Sequence, residues 1–189
     1  LRYNELPDGK RPGPKLYIED NIDPERMASL LDVIDVKKTC FNVITKSGGT
    51  AETMSQYLIV LEILKKAVGD DYRRHILITT SRTKGFLIKI AEREGYDTFY
   101  IPDGVGGRFS ELSPVGLIAA SVCGIDIRGL LDGAKAMDER CKSDDLWKNP
   151  ALLDAGLMVL SMQAGKNVSV MLPYADSLKL MSDWYAQLW

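Results

Sequence analysis

The stretch Phe41-Asn42-Val43-Ile44-Thr45-Lys46-Ser47-Gly48-Gly49-Thr50-Ala51-Glu52-Thr53-Met54 decides how this chain is read. Phe41 to Ile44 is an apolar run of the length of a buried strand. A loop of hydroxyls and glycines follows. Met54, Tyr57, Leu58, Leu61, Leu64 and Val68 then keep the three-and-four spacing of one helical face. A strand that turns through Thr-Lys-Ser-Gly-Gly-Thr into a helix can build an anion site. First-turn amides have no partner inside the helix, and the macrodipole places partial positive charge on them. Gly48 and Gly49 let the backbone approach a ligand closely. The hydroxyls of Thr45, Ser47 and Thr50 can donate to phosphate oxygens. Lys46 can add its backbone N–H while its side chain lies elsewhere. Ser, Thr and Gly ahead of a helix also suit plain capping. Three hydroxyls and two glycines within six residues, directly behind a buried strand, favour the phosphate reading. Neither Gly-x-x-x-x-Gly-Lys-Ser/Thr nor Gly-x-Gly-x-x-Gly opens this helix, so a phosphorylated small molecule is expected rather than ATP or NAD.

Outward from this stretch, strands alternate with helices. Upstream, Leu1 to Pro14 reads as a surface loop or ordered tail, and Leu16 to Ile18 as a short strand. Asp23-Pro24 opens a helix buried through Met27, Leu30, Leu31 and Ile34. Downstream, His75 to Thr79 is an apolar strand. A helix marked by Phe86, Leu87, Ile90 and Ala91 stops at Gly95, and Thr98 to Ile101 is another strand. Alternation of apolar strands with helices predicts an α/β fold: a doubly wound parallel sheet with helices on both faces. Ligands then sit beyond the carboxyl ends of the strands, where residues 45–50 lie. From Ser113-Pro114 the chain turns helical. Helices are expected to about Cys123, from Asp126 to Cys141, and from Pro150 to Gln163. Val168 to Leu172 reads as a further strand and Asp176 to Trp189 as a closing helix.

A second constellation follows the strand at 98–101. Asp103-Gly-Val-Gly-Gly-Arg-Phe-Ser-Glu-Leu-Ser-Pro-Val-Gly116 holds Arg108 on a glycine-rich turn at the same edge of the sheet. An Arg fixed there can stabilise a developing oxyanion; a surface Arg on a turn is the plain alternative.

The bulk numbers narrow the class. A chain of 189 residues with 46% hydrophobic and 26% charged residues is globular, and a net charge of −2 gives no reason to expect nucleic acid or an anionic membrane as partner. No apolar run has the roughly 20 residues a membrane span needs. Cys40, Cys123 and Cys141 are odd in number and far apart, without metal-ligand spacing. They read as reduced thiols of a cytoplasmic protein, Cys40 and Cys123 packed in the core. His75, the one histidine, is assigned to structure. Glu52 suits the helix dipole better than catalysis, and Glu62 with Lys66 reads as a surface pair. Thr79-Thr-Ser-Arg82 lacks the glycine fingerprint that NADP would need.

Thr45-Lys-Ser-Gly-Gly-Thr-Ala-Glu-Thr53 resembles the sugar-phosphate loop of glucose-6-phosphate isomerases, built on the sugar isomerase (SIS) fold. Val105-Gly-Gly-Arg-Phe-Ser110 is similar to a segment of that family whose Arg lies against the enediolate, and the similarity runs the length of the chain. Glu111 departs from the apolar residue usual there. The resemblance implies substrate binding by Thr45, Lys46, Ser47, Gly48, Thr50, Gly107 and Gln187, and a catalytic role for Arg108. It implies no metal and no organic cofactor. Glucose 6-phosphate and fructose 6-phosphate would be the ligands, in a homodimer. Residues 1–124 would form a first SIS domain lacking its start, 125–166 connecting helices, and 167–189 the first strand and helix of a second. Gln187 resembles the glutamine four residues ahead of the family's catalytic glutamate, which places that base beyond Trp189 and predicts an inactive chain. The family's first Gly-Gly-Ser loop would precede Leu1, and its ring-opening histidine and lysine would follow Trp189. Two other readings stand: a non-catalytic SIS sugar-phosphate regulator, and an isomerase of a different sugar phosphate.

Overall fold

The computed structural model describes residues 2–189, with side chains from Tyr3 onward. The chain divides into two compact units, Leu1–Ile125 and Asp126–Trp189. In the first, a short helix α1 (Arg2–Glu5) and an irregular segment lead into α2 (Pro24–Val33). There follow β1 (Phe41–Thr45), α3 (Ala51–Val68), β2 (Ile76–Ser81), α4 (Phe86–Glu94), β3 (Asp97–Ile101) and α5 (Pro114–Val122). The three strands form one parallel sheet in the order β1-β2-β3.

The pleat sorts the strand residues onto two faces. Val43 and Ile78 are register partners, as are Phe41 and Ile76. They meet Tyr57, Val60 and Leu64 of α3 and Leu87 and Ala91 of α4 in one apolar cluster. Leu64, Ile78 and Leu87 are fully buried at its centre. On the opposite face Thr79, Ser81 and Ile101 are also buried, and α5 packs against β3. Helices therefore lie on both faces of the sheet, as the apolar strands predict, although Phe99 on the second face stays 46% exposed. Two buried hydroxyls of β2 are satisfied within the sheet: Thr80 Oγ1 donates to the Thr45 carbonyl (2.6 Å) and Thr79 Oγ1 to Asn42 Oδ1 (2.9 Å).

The helix ends follow the sequence closely. Asp23, Ser113, Asp126 and Asn149 each cap a helix through the side chain, and Pro24, Pro114 and Pro150 occupy first turns. Gly95 ends α4 in the left-handed conformation. The second unit holds α6 (Ile127–Cys141), α7 (Pro150–Gln163) and α8 (Lys179–Leu188).

Five expectations are corrected. Residues 16–18 are not a strand: Asn4 occupies both backbone groups of Leu16, donating to its carbonyl (2.7 Å) and accepting from its N–H (2.9 Å), which leaves no ladder to form. Val168 to Leu172 is irregular and exposed, with Val168 83% accessible, because no strand of the described residues lies beside it. Cys40 is exposed, one residue ahead of β1 at the rim of the sheet, whereas Cys123 is buried as expected. On α3, Leu58 is exposed and Val60 takes its place, since positions 57, 60 and 64 share the stripe and 58 turns off it. Phe86, the first residue of α4, is exposed for the same reason, one position outside the stripe through Leu87 and Ala91.

Candidate functional site

β1 ends at Thr45 and α3 begins after Thr50, so the intervening loop sits at the carboxyl edge of the sheet. Its hydroxyls converge. Thr45 Oγ1 lies 2.8 Å from Thr50 Oγ1 and 3.3 Å from Ser47 Oγ, and Ser47 Oγ lies 3.2 Å from Thr50 Oγ1. Thr45 is buried while Ser47 and Thr50 are exposed, so this triangle has a rooted corner and two open ones. Thr50 occupies the cap position of α3, yet its side chain makes no cap hydrogen bond. Of the two uses open to these residues, the hydroxyls are gathered toward one another rather than spent on first-turn amides. Glu52 stands exposed in that first turn.

The backbone of the loop is held from the side. Gly48 adopts φ +66°, a conformation that costs glycine little. Its carbonyl accepts from the N–H of Phe86 (3.2 Å) and of Leu87 (3.1 Å), the first amides of α4. Gly85 comes so close that a Cβ built there would lie 2.1 Å from the Ser47 carbonyl oxygen. The amino end of α4 is thus engaged by the loop itself.

Lys46 reaches in the other direction: its Nζ donates to the carbonyl of Val105, which ties the loop to the glycine-rich turn after β3. That turn carries Arg108 in a single 3₁₀ turn, Gly107–Phe109. Ser110 Oγ donates to the Gly107 carbonyl (2.5 Å) and Ser113 Oγ to the Ser110 carbonyl (2.6 Å), so two hydroxyls fix the turn to the start of α5. Glu111 does not disturb that start, where Ser113 still caps. Arg108 and Gly107 are exposed.

A cleft of about 340 Å³ opens between the two loops, lined by Lys46, Ser47, Ser81, Lys84, Asp103 and Gly104. Thr45, Lys46, Ser47, Gly48 and Thr50 are therefore brought together and joined to the Arg108 turn. Gln187 lies on α8, in the second unit. Sequence reasoning weighed Ser81 only within Thr79-Thr-Ser-Arg82, as a nucleotide contact it set aside, passed over Lys84, and gave Asp103 and Gly104 no role. The available signal was position: Ser81 ends β2, and Lys84, Asp103 and Gly104 lie within three residues of the carboxyl end of a parallel strand. His75 lies away from the cleft, its Nδ1 donating to the Thr39 carbonyl (2.9 Å), a structural contact as expected. Arg82 stacks over the Tyr100 ring at 4.4 Å. Among the described residues no cluster of His, Cys, Asp and Glu could hold a metal ion, and no helix is long and apolar enough to cross a membrane.

Comparison with known proteins gives a consistent result. The family model described as phosphoglucose isomerase matches residues 7–189. The glucose-6-phosphate isomerase of Carboxydothermus hydrogenoformans is 62% identical over 188 residues, covering 100% of this chain and 40% of that protein. That of Rubrobacter xylanophilus is 43% identical, covering 99% of this chain and 43% of that protein. Among solved structures, a hypothetical protein from Thermus thermophilus superposes with a TM-score of 0.85 at 40% identity, covering 89% of this chain and 40% of its own. A glucose-6-phosphate isomerase from Chlamydia trachomatis gives 0.75 at 27% identity, covering 88% and 32%. The chain spans about 40% of the length of the curated relatives it matches.

Proposed function

The chain belongs to the phosphoglucose isomerase family, and on that premise we propose that it carries the phosphate-binding part of an aldose–ketose isomerase acting on glucose 6-phosphate and fructose 6-phosphate. The observation that carries the reading is the uncapped amino end of α3 beneath three convergent hydroxyls, Thr45, Ser47 and Thr50. A phosphate placed there accepts from Ser47 and Thr50, with Thr45 steadying both. The backbone amides of Lys46 and Gly48 and the positive end of the helix add to its hold.

Isomerisation moves a proton between C1 and C2 through a cis-enediol. Its protein requirements are an anchor, an oxyanion partner and a carboxylate base. We assign the anchor to residues 45–50 and the oxyanion partner to Arg108, with Gly107 beside it and Gln187 placing the sugar. The base is assigned outside residues 1–189, four positions past Gln187, so that these residues alone bind sugar phosphates without turning them over. Turnover by the isolated 189 residues would instead hand that role to Asp103, the carboxylate lining the cleft. The same reading makes the protein a cytoplasmic homodimer that uses no cofactor, with residues 1–124 and 167–189 belonging to two successive SIS domains.

The test is the double substitution Ser47→Ala and Thr50→Ala in the whole protein. Losing two hydrogen bonds to a charged group weakens fructose 6-phosphate binding by about 2–3 kcal/mol. Binding of unphosphorylated fructose stays as it was. Calorimetry that finds the phosphorylated sugar held as tightly as before moves the anchor out of this loop.

A further inference from the structure

The cleft holds two lysines, and the structure gives them different work. Lys46, inside the hydroxyl loop, is the obvious counter-ion for a phosphate. Its ammonium, however, is half-buried against the carbonyl of Val105, 59 residues away in sequence. Drawing it to a ligand would release the turn that carries Arg108. Lys84 lines the same cleft, is exposed, and makes no ion pair or hydrogen bond among the described residues. Its backbone is not free to drift. The next residue, Gly85, lies against Ser47 and Gly48, and the two residues after that donate to the Gly48 carbonyl. Lys84 is thus pinned beside Ser47 while its side chain remains available.

We propose that Lys84 supplies the side-chain cation for the phosphate in this site, while Lys46 is a positioning residue that holds the Arg108 turn against the hydroxyl loop. The proposal rests on the phosphate-binding reading of residues 45–50. Asp103 lines the cleft as well. A carboxylate there repels a dianion, which makes one uncommitted lysine matter more. A lysine serves as a point charge on phosphate, with no demand for the planar geometry of an Arg, and an exposed stem suits that use.

The experiment uses the whole protein, with fructose 6-phosphate as substrate and inorganic phosphate as competitive inhibitor. Lys84→Met raises both KM and the phosphate inhibition constant about tenfold, kcat staying within about twofold, because a charged hydrogen bond to the anchored group is lost. Lys84→Arg, which keeps the charge, restores most of the affinity. The salt dependence of phosphate inhibition is flatter in Lys84→Met than in the parent, a change that loss of packing alone does not produce. Lys46→Met shows the reverse split: kcat falls and the inhibition constant stays within about twofold. An unchanged inhibition constant in Lys84→Met, or the larger rise in Lys46→Met, overturns the assignment. The Ser47/Thr50 double variant separates the two levels. If it weakens phosphate and Lys84→Met does not, only the role of Lys84 falls; if neither does, the phosphate reading of the loop falls with it.

Discussion

Replacing Gly85 with Ala probes the joint between the hydroxyl loop and α4. Gly85 has φ +96° and ψ 177°, a backbone region that side-chain-bearing residues essentially avoid. That conformation alone costs about 1–3 kcal/mol. The added Cβ would also sit 2.1 Å from the Ser47 carbonyl oxygen, a contact that only a shift of the loop relieves. Such a shift weakens two hydrogen bonds to the Gly48 carbonyl, each worth about 1 kcal/mol. The expected loss of stability is therefore about 3–5 kcal/mol. Gly95→Ala is the internal control. It too has positive φ (+71°), at the other end of the same helix, but nothing lies within 4 Å of a Cβ built there. Its cost is the left-handed conformation alone, about 1–2 kcal/mol. Chemical denaturation gives the two stabilities, and titration calorimetry with fructose 6-phosphate gives the two affinities. Gly85→Ala is expected to lose affinity by more than about tenfold as Ser47 is displaced, and Gly95→Ala to keep it. Equal stability losses with unchanged binding in both variants would show that the loop is not braced by α4.

Two further predictions concern other parts of the molecule. Arg108→Lys keeps the charge but loses the planar fork, so kcat of the whole protein falls by more than about tenfold with KM little changed; a change confined to KM makes Arg108 a ground-state contact. Tyr57 and Tyr96 are held above the ordinary phenol range chiefly by burial, and Tyr72 chiefly by its hydrogen bond to Glu94. Because their folded values lie above the unfolded value of about 10, stability is intact below that pH and falls as pH rises past it. Ultraviolet titration should show these tyrosines ionising together with the loss of circular dichroism; ionisation near pH 10 without unfolding would refute the linkage.

Much of the site was legible in sequence because its elements are local. A strand ending at Thr45, a loop of hydroxyls and a periodic helix need only neighbouring residues to declare themselves. The same holds for the helix starts at Asp23-Pro24, Ser113-Pro114, Asp126 and Pro150. What sequence could not show was set by distant partners. Leu16 to Ile18 has the composition of a strand, but Asn4, 12 residues before Leu16, takes the backbone groups a ladder would need. Val168 to Leu172 likewise has strand composition and no neighbouring strand among the described residues. Lys84 escaped notice because nothing near it in sequence marks a ligand; its place is set by contacts between Gly85 and Gly48, 37 residues apart.

The two glycines of that joint divide the loop's work between backbone and side chains. A helix ordinarily has its first amides served by a cap, as α5, α6 and α7 do here. At α4 the carbonyl of Gly48 serves them, which requires Gly48 at positive φ and Gly85 without a Cβ. With its backbone held in this way, the loop spends Ser47 on the backbone only through a long contact from the Gly49 N–H (3.4 Å), and Thr50 makes no side-chain cap bond. Lys46 then braces the opposite side against Val105. Hydroxyls gathered toward one another on a braced backbone are preorganised for a ligand, so binding spends little on ordering them. The side chains that the architecture leaves over are the ones proposed above to hold the phosphate.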